Sequence, residues 1–556
     1  MRTTPAEPPY TSTLNRALLP NPLDLREPAR RWWAWFCATD PQREVEEMVR
    51  THCGWAPWWF GDCTGRMVDA AILCRQVRGD DTIGEHEEYL RSCLRGMFDP
   101  RDGLNWRPET VFNVREANMF DQSSVLLALV SWFMESGSAE VEDLLQRMIG
   151  GLWAIAAKQD DCCYYPFECY GEKGWDRDYP ASCGKARYGI ADPCHEGGRQ
   201  INPLVRYYEL TGSAAALRLA DGLARYVMGP ADLFEADGCY REEGRAEKTY
   251  RSGHIHSRLS VATGVMRLGF ATGHTDYVAW GKHVFDWTLR TQCTSFGWVG
   301  EVMDRYERGS ETCGITDAIE AAALLARNGY DDYWGIVARF GRNHLLESQS
   351  RRNGGFNGHS FPHEYAFVDT EWVPGQTTVL HPVAGCCAPA GMRGIYGVWD
   401  HIVTRQGTAV SVNLPLARQS RWVRVRGHEP FAGQVDIMVD ADVPVLRVRV
   451  PEGGGRNDVR VTVNDRPVTP AWDGAFLLLR GCAVGEIATV QYPLRRYTET
   501  VTIHGHTFTV TWVGSTVVGM EPAGQYEPLY LARNTEWYTT APQPEVSSLS
   551  TREVCW

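Results

Sequence analysis

Hydrophobic residues in the first part of the chain, up to about position 405, recur with the spacing of amphipathic helices. A repeated phrase joins an apolar stretch, a glycine turn and a second amphipathic stretch, as in YYELTGSAAALRLADGLARYV. The turns contain Gly79, Gly137, Gly212, Gly273 and Gly329. Each glycine suits the position just after a helix, where a positive φ is needed. The pattern therefore predicts pairs of helices joined by glycine turns.

The glycine turns return at intervals of roughly 55–75 residues, which leaves room for one helix pair and a variable loop in each repeat. Five or six such pairs that close into a ring form an (α/α)6 barrel. We predict this barrel for residues 1–405. An open solenoid of helix pairs is the alternative architecture.

The hydrophobic period changes after residue 405 from helical spacing to the alternation typical of β-strands. Short segments rich in β-branched residues, such as WVRVRG, VLRVRV and EIATVQY, are separated by turn segments such as VNDRP and PEGGG. We predict a β-sandwich for residues 406–530 and an extended or loosely ordered tail for residues 531–556. The predicted fold class is thus a multidomain α and β chain, an N-terminal (α/α)6 barrel followed by a C-terminal β-sandwich.

Composition and charge limit the kinds of molecule that the protein is expected to bind. The 556 residues are 44% hydrophobic and 22% charged, which is typical of a globular protein. The formal net charge of −13 is spread along the chain and argues against nucleic acid or an anionic membrane as a partner. We find neither a signal peptide pattern nor an apolar run long enough to span a membrane. The 17 cysteines are therefore expected to be reduced thiols in the cytoplasm.

Two segments that are far apart in the chain offer ligands for a metal. SETCG contains Glu311 and Cys313, and GCCAPAG contains Cys386 and Cys387. One carboxylate and three thiolates match the four-coordinate preference of zinc. The segments lack the paired CxxC spacing of common zinc sites, so that the spacing alone favours buried core cysteines over a metal site.

Together, the ETCG and GCCAPAG segments resemble the signature of the glycoside hydrolase family 127 β-L-arabinofuranosidases. Gly300-Glu301 is similar to a Gly-Glu dipeptide that precedes ETC in that family. The GDCTGRMVDAA stretch near residue 61, the helical repeats and the passage from GCCAPAGMRGIYG into strands fit the same architecture. The resemblance covers most of the chain, and its specific part is the Glu/Cys motifs.

The resemblance implies a retaining glycosidase that binds Zn²⁺ through Glu311, Cys313, Cys386 and Cys387. It implies that Cys386 is the nucleophile and that Glu301 is the acid/base. Metal coordination deprotonates a thiol, so a Cys386 thiolate can attack an anomeric carbon. Glu301 would first protonate the leaving oxygen and then activate water. The implied substrate is a glycoside or oligosaccharide with a terminal arabinofuranose or a related sugar.

Three positions correspond to histidines that contact the sugar in the family that the chain resembles. His254, in GHIHSRL, matches one of them, and His256 competes with it for the role. At the second position the alignment places Arg199, with His195 about one helical turn earlier. The residues at the third position belong to the same predicted substrate site as His254, Arg199 and His195.

At the third position Asp121 and Gln122 stand where the family has a His-Lys pair. We predict that His254, Arg199, Asp121, Gln122 and His195 bind substrate, and ordinary polarity of a helix face is the alternative for Arg199, Asp121 and Gln122. These departures leave the identity of the sugar open.

The sequence also allows other acid/base residues and other functions. Asp304 and Glu307 replace Glu301 as candidates if Glu301 belongs to a solvated loop. A sugar lyase or epimerase that uses His254 or a tyrosine as base would suit the same helical barrel. A carbohydrate-binding protein with a structural zinc ion is a third class. The predicted sandwich also offers a surface for a homodimer.

A second group of cysteines lies in KQDDCCYYPFECYGEK and the residues that follow it. Cys162, Cys163 and Cys169 are joined by Cys183 and Cys194 farther along the chain. They are candidates for a second metal site or for buried thiols without a ligand role.

Overall fold

The computed structural model describes residues 23–38, 60–107, 109, 115–175, 191–241, 253–351, 354–365, 386–451, 455–525 and 528–530. The predicted tail, the first 22 residues, Cys183 and Gly385 lie outside these ranges. The helices of the described residues are α1 (Arg26–Ala38), α2 (Phe60–Arg78), α3 (Glu85–Gly96), α4 (Met119–Ser136), α5 (Ala139–Ile155), α6 (Ile201–Thr211), α7 (Ala214–Met228), α8 (Ile255–Thr272), α9 (Thr275–Thr291), α10 (Thr312–Arg327), α11 (Trp334–Arg342), α12 (His344–Glu347) and α13 (Cys387–Asp400).

Six of these helices pack side by side in a ring. Helices α2, α4, α6, α8, α10 and α13 each contact the next, and α13 contacts α2. They are buried on nearly every side, as a helix in the centre of a fold must be, and α4 buries all residues from Asp121 to Trp132. Helices α3, α5, α7, α9 and α11 follow the inner helices and pack against them, while α1 contacts α2 and α13. The first part of the chain is therefore a helical barrel.

The glycine turns lie where the sequence predicted them. Gly79, Gly137, Gly212, Gly273 and Gly329 follow the C-terminal ends of α2, α4, α6, α8 and α10. All five have a positive φ, between 60° and 95°. A side chain other than that of glycine is strained in this conformation, so these residues fix where each inner helix ends. The prediction of glycine-linked helix pairs is confirmed.

The β-structure is concentrated after α13. The strands are β1 (Glu116–Asn118), β2 (Ala157–Gln159), β3 (Cys162–Tyr164), β4 (Cys169–Gly171), β5 (Gly174–Trp175), β6 (Ser310–Glu311), β7 (His359–Ser360), β8 (Val403–Gln406), β9 (Ala409–Val412), β10 (Arg418–Gln419), β11 (Val423–Gly427), β12 (Gln434–Val439), β13 (Val443–Arg449), β14 (Arg460–Val463), β15 (Arg466–Pro467), β16 (Ala471–Asp473), β17 (Phe476–Cys482), β18 (Ile487–Gln491), β19 (Arg496–Ile503), β20 (His506–Val513) and β21 (Thr516–Glu521).

Three sheets form the C-terminal part of the described chain. A six-stranded sheet has the order β10-β11-β12-β18-β14-β15, and a five-stranded sheet has the order β16-β17-β13-β9-β8. Strands β19, β20 and β21 form an antiparallel meander. The pair β9–β13 is parallel, and the other pairs in the two larger sheets are antiparallel. The predicted change from helical to β-structure is confirmed.

The β19–β21 meander supports one loop of the barrel. Trp298 in this loop is fully buried in a cluster with Trp512 of β20. The hydroxyl of Ser295 donates a hydrogen bond of 2.8 Å to Glu499 Oε2 in β19. His504 Nε2 lies 3.1 Å from Gln292 Oε1. The meander therefore holds the segment that leads into Glu301.

Among the described residues, we find no helix that combines the length and the apolar character required to span a bilayer.

Helices α2 and α4 approach closely at Gly65. A Cβ at this position would lie 2.5 Å from the carbonyl oxygen of Ser124. Because the obstacle is backbone, we expect Gly65→Ala to lower the free energy of unfolding by about 1–3 kcal/mol. Denaturant unfolding followed by circular dichroism measures this change.

Gly150→Ala is the matched control for that substitution. Gly150 lies within α5, and no atom lies within 4 Å of the added Cβ. This substitution should raise stability by about 0.5–1 kcal/mol through helix propensity. Equal stability of the two variants would contradict the close approach of α2 and α4.

Candidate active site

Four potential metal ligands converge at one end of the helical barrel. The donor atoms of Glu311, Cys313, Cys386 and Cys387 all lie within 4.8 Å of one another. The sulfurs of Cys313 and Cys387 are 3.8 Å apart, as are those of Cys386 and Cys387. Cys386 Sγ is 3.5 Å from Glu311 Oε1. The two distant sequence motifs therefore meet in space.

The starts of two inner helices position this four-donor cluster. Glu311 is extended, with φ −110° and ψ 127°, and precedes α10, while Cys313 lies in the first turn of that helix. Cys386 precedes α13 and Cys387 is its first residue. Unpaired backbone N–H groups and the positive end of the helix dipole favour negative charge at such positions. The local folds at both motifs thus suit a carboxylate and thiolates.

The spacing of the four-donor cluster fits a tetrahedral zinc ion. Zinc binds sulfur at about 2.3 Å and oxygen at about 2.0 Å, so a tetrahedron has sulfur–sulfur edges of about 3.8 Å and sulfur–oxygen edges of about 3.5 Å. The two sulfur pairs at 3.8 Å and the sulfur–oxygen pair at 3.5 Å agree with these edges. The residues therefore fit the metal that their chemistry suggests.

Within the four-donor cluster the thiols differ in acidity. Burial raises the pKa of the Cys313 and Cys387 thiols well above the usual value. Hydrogen bonds from Cys313 and Cys387 lower the pKa of Cys386 well below its usual value. Burial disfavours the charged form of Glu311, but His254, whose Nε2 is 2.7 Å from Glu311 Oε2, keeps the pKa of Glu311 well below the usual range. Cys386 is therefore the sulfur that carries negative charge most readily.

Glu301 lies on an extended segment beside Glu311. Gly300 pairs with Ser310, and the backbone N–H of Glu301 donates to the carbonyl of Gly309. Glu301 Oε1 is 3.2 Å from Arg308 Nη2, and its Oε2 is 3.6 Å from His359 Nδ1 without a hydrogen-bond partner.

The alternatives to Glu301 are placed differently. Asp304 is 70% exposed and accepts a hydrogen bond from Gln292 Nε2, and Glu307 is also exposed. The Glu301 side chain is only 13% exposed. This burial favours Glu301 over both neighbours as the acid/base candidate.

Aromatic and histidine rings form a wall next to the four-donor cluster. His195 stacks on Phe120 at 4.2 Å, and its ring centroid is 5.8 Å from that of His254. His195 belongs to a one-turn π-helix, Pro193–Gly197, a distortion that is frequent at functional sites. The predicted residues His195 and His254 are therefore neighbours, and His254 contacts Glu311 directly.

Arg199 extends the same wall. Its guanidinium carbon is 4.9 Å from the centre of the Phe120 ring, and Nη2 donates to the Ser124 hydroxyl at 3.3 Å. Arg66, which the sequence analysis did not single out, lies between Arg199 and the four-donor cluster. Its Nη1 is 3.7 Å from Cys313 Sγ, and its Nε donates to Asp62 Oδ1 at 2.8 Å.

Asp121 and Gln122 are fully buried and bind groups within the protein. Asp121 accepts hydrogen bonds of 2.7 and 2.9 Å from Arg107. Gln122 exchanges two hydrogen bonds with the backbone of Asn105, at 3.0 and 2.6 Å. These contacts hold the loop at Asn105 and Arg107 against the start of α4. Both residues thus have partners in the protein, and their predicted contact with substrate stays a prediction.

Several residues near the candidate site were not predicted from the sequence. His359 lies beside Glu301. The sequence feature that could have identified it is the Gly-His pair in FNGHSF, which resembles Gly253-His254. Arg66 and Asp62 are four residues apart on α2, a spacing that places them on one helix face. His256, the competitor of His254, binds Asp317 through Nδ1 and lies 3.3 Å from Arg66 Nη2.

The other cysteine group forms no comparable cluster among the described residues. Cys162 and Cys163 lie in the β2–β3 hairpin, and Cys163 Sγ is 3.8 Å from the carbonyl of Leu219. Within the described ranges, only the four-donor cluster brings three or more potential ligands together. Cys183 lies outside those ranges, so a site that includes it stays a prediction.

Solved structures with a similar fold place the chain among known architectures. The GH127 β-L-arabinofuranosidase of Geobacillus stearothermophilus T6 matches with a TM-score of 0.60 at 14% identity, over 92% of this chain and 85% of that protein. The chain has the fold of the GH127 β-arabinofuranosidases. The GH127 β-arabinofuranosidase BT3674 matches with a TM-score of 0.62 at 15% identity, over 90% and 84% of the two chains. No protein-family model and no curated protein matches the sequence. The resemblance inferred from the Glu/Cys motifs thus extends to the fold.

The buried pair Asp121–Arg107 generates a prediction about stability. Asp121→Asn leaves the Arg107 guanidinium buried with weaker compensation, because Glu116 is 3.5 Å away. We expect the free energy of unfolding to fall by about 3 kcal/mol or more. Denaturant unfolding of the variant measures the loss.

Asp143→Asn serves as the control, since it removes an exposed carboxylate that pairs with Arg147 at 2.9 Å. Its effect should be below about 1 kcal/mol. Unchanged stability of Asp121→Asn would show that the carboxylate is not held by Arg107 and would favour a contact with substrate.

Proposed function

We propose that this protein is a retaining glycoside hydrolase, similar in activity to the β-L-arabinofuranosidases, that releases a terminal arabinofuranose or a related sugar. The observation that supports the proposal most is the convergence of Glu311, Cys313, Cys386 and Cys387 at the mouth of a GH127-like helical barrel. In this proposal residues 1–405 form an (α/α)6 barrel and residues 406–530 a β-sandwich. The substrate is a glycoside or oligosaccharide.

Glu311, Cys313, Cys386 and Cys387 would hold a zinc ion in this proposal. When bound, zinc lowers the pKa of coordinated thiols and keeps them ionised at neutral pH. The tetrahedral spacing of the donor atoms supports this assignment. The free thiols throughout the described part of the chain are consistent with the reducing cytoplasm, which we propose as its location.

Cys386 and Glu301 divide the chemistry between them. The Cys386 thiolate attacks the anomeric carbon, and the carbon–oxygen bond to the leaving group breaks as the carbon–sulfur bond forms. Glu301 donates its proton to the leaving oxygen. In the second step Glu301 takes a proton from water, the oxygen of which attacks the same carbon and releases the thiolate. Two displacements on one carbon retain the anomeric configuration.

The residues around Glu301 orient it for this role. Arg308 binds Oε1, and Oε2 is directed toward His359 without a hydrogen bond. Because none of the described residues forms a hydrogen bond with this oxygen, it is available to hold or receive a proton. His195 and His254 line the adjacent wall, where they can contact sugar hydroxyls.

Metal content tests the ligand assignment. We expect the purified protein to contain one zinc ion per chain and Cys313→Ala to contain less than one-tenth of that amount. Loss of one thiolate from four ligands removes the charge and the geometry that the ion requires. Mass spectrometry of metals in the desalted protein measures both values.

Cys163→Ala is the matched control, because Cys163 is equally buried but lies outside the four-donor cluster. It should retain full zinc content. Zinc-free wild-type protein with full activity would contradict the metal assignment.

Leaving-group dependence tests the catalytic pair. Cys386→Ser should lower kcat/KM by at least about a thousandfold for every aryl furanoside that the wild type cleaves, since it removes the nucleophile. Glu301→Gln should lower kcat/KM by about 10²–10⁴-fold for alkyl glycosides and far less for 2,4-dinitrophenyl glycosides, because a good leaving group needs no proton.

The reaction product completes this experiment. Nuclear magnetic resonance of the first-formed sugar should show retention of the anomeric configuration. Full activity of Cys386→Ser, or inversion at the anomeric carbon, would rule out the proposed nucleophile. An unsaturated or epimerised product would instead identify a lyase or an epimerase.

A further inference from the structure

A small cavity lies inside the barrel, next to the four-donor cluster. Its volume is about 40 Å³, and Cys313 forms part of its wall together with Arg66, Arg199 and Arg393. Polar and charged side chains make up much of the rest of its wall. The cavity can therefore receive a polar substituent of a sugar that is bound at the barrel mouth.

Two of the three arginines each have a close carboxylate partner within the protein. Arg66 Nε donates to Asp62 Oδ1 at 2.8 Å, and its Nη1 faces Cys313. Arg393 Nη2 is 2.7 Å from Glu320 Oε1, and its Nη1 is 3.8 Å from Asp69 Oδ2. Their positive charges are therefore compensated.

The remaining acidic residue in the cavity wall, Asp317, also has a partner within the protein. Asp317 contacts His256 Nδ1, and burial raises the pKa of Asp317 to about 7. Its charge is accordingly reduced near neutral pH. Neither Asp69 nor Asp317 forms an ion pair with Arg199 in the structure.

Among the described residues, Arg199 has no carboxylate of its own and shares Asp62 with Arg66. It is 8% exposed, and Nη2 makes one hydrogen bond of 3.3 Å, to the neutral Ser124 hydroxyl. Asp62 Oδ1 lies 3.8 Å from Nη2 but already accepts from Arg66 and from Ser124. The Nη1 group is buried without a hydrogen-bond partner. Arg199 thus contributes positive charge and free donors to the cavity.

The surroundings of Arg199 disfavour its charge. Burial, and then the nearby Arg66, lower the pKa of Arg199 to about 10, so the side chain is still charged at neutral pH. A buried cation that shares a distant carboxylate with another arginine is only partly compensated, and an anionic ligand would reduce that penalty. The planar guanidinium matches a carboxylate, which can accept two parallel hydrogen bonds from it.

We propose that Arg199 binds a carboxylate on the substrate sugar, so that the enzyme acts on glycosides of an acidic sugar. A carboxylate suits the cavity in charge and in hydrogen bonding, because Arg199 offers it a positive charge and free N–H donors. The sugar ring would lie at the barrel mouth beside His195 and His254, with the carboxylate directed inward. This inference rests on the proposed function for the position of the ring and for the cleavage of the glycoside, whereas the binding of the carboxylate by Arg199 does not depend on it.

Matched pairs of ligands test this proposal on the zinc-loaded full-length protein. Each pair has a carboxylate in one member and a hydroxymethyl group in the other at the same carbon, as in arabinuronate and arabinose, glucuronate and glucose, and galacturonate and galactose. Isothermal titration calorimetry measures binding of the free sugars, and 4-nitrophenyl furanosides and pyranosides of the same pairs measure turnover. We expect at least one acidic member to exceed its neutral partner at least tenfold in affinity or in kcat/KM.

Variants of Arg199 test whether this residue causes the preference for acidic sugars. Arg199→Gln should bring the acid-to-neutral ratio close to one, and Arg199→Lys should retain part of it, because a lysine keeps the charge but not the paired donors. Arg218→Gln removes the same charge from an exposed position on α7 and should leave the ratio unchanged. If Arg199→Gln does not fold, the wild-type ratio and Arg199→Lys decide the outcome.

The outcomes separate this proposal from the hydrolase assignment. Binding of an acidic sugar without hydrolysis would support the role of Arg199 and contradict the proposed function. Cleavage of neutral arabinofuranosides with no preference for any acidic partner would overturn the role of Arg199 and leave the hydrolase assignment intact. Tighter binding of a sugar sulfate or phosphate than of the carboxylate would overturn the choice of a carboxylate.

Discussion

The convergence of inner-helix starts at one end of the barrel is the constraint on which the site depends. Helices α10 and α13 both begin there, and their unpaired N–H groups favour negative charge at Glu311, Cys386 and Cys387. Buried thiolates and carboxylates are unfavourable without such compensation. The barrel therefore supplies an environment in which two short motifs, separated by most of a helical repeat, can form one anionic cluster.

The proposed acid/base residue and the proposed nucleophile are held in place by different kinds of structure. Cys386 lies at the start of a helix, whereas Glu301 lies on an extended segment that pairs with residues around Ser310. That segment is held by Trp298, which packs against Trp512 of the C-terminal meander. The β-rich part of the chain thus contributes to the candidate site through packing, because the β19–β21 meander supports the segment that carries Glu301.

The sequence predicted those features that local rules determine. A positive φ after a helix requires glycine, and so Gly137 and Gly212 marked the ends of α4 and α6 correctly. Period and turn chemistry likewise located the strands after α13. The meeting of Glu311 with Cys386 followed only from resemblance, because spacing in the sequence does not determine distances between remote segments.

What the sequence could not predict is how charged neighbours share partners. Asp121 and Arg199 were selected by the same alignment, yet Asp121 is bound by Arg107, while Arg199, within the described part of the chain, shares Asp62 with Arg66. Asp62 is closer to Arg66, at 2.8 Å, than to Arg199, at 3.8 Å.

The shared Asp62 also links Arg199 to the four-donor cluster. Arg66 binds Asp62 and faces Cys313, so the contacts Arg199–Asp62–Arg66–Cys313 form one electrostatic network. An anion that neutralises Arg199 would leave Asp62 to Arg66 alone. In the proposed complex, the charge of the substrate and the charge of the thiolates are therefore compensated by the same few groups. Because these groups are buried and close together, a change in one charge would alter the energy of the other.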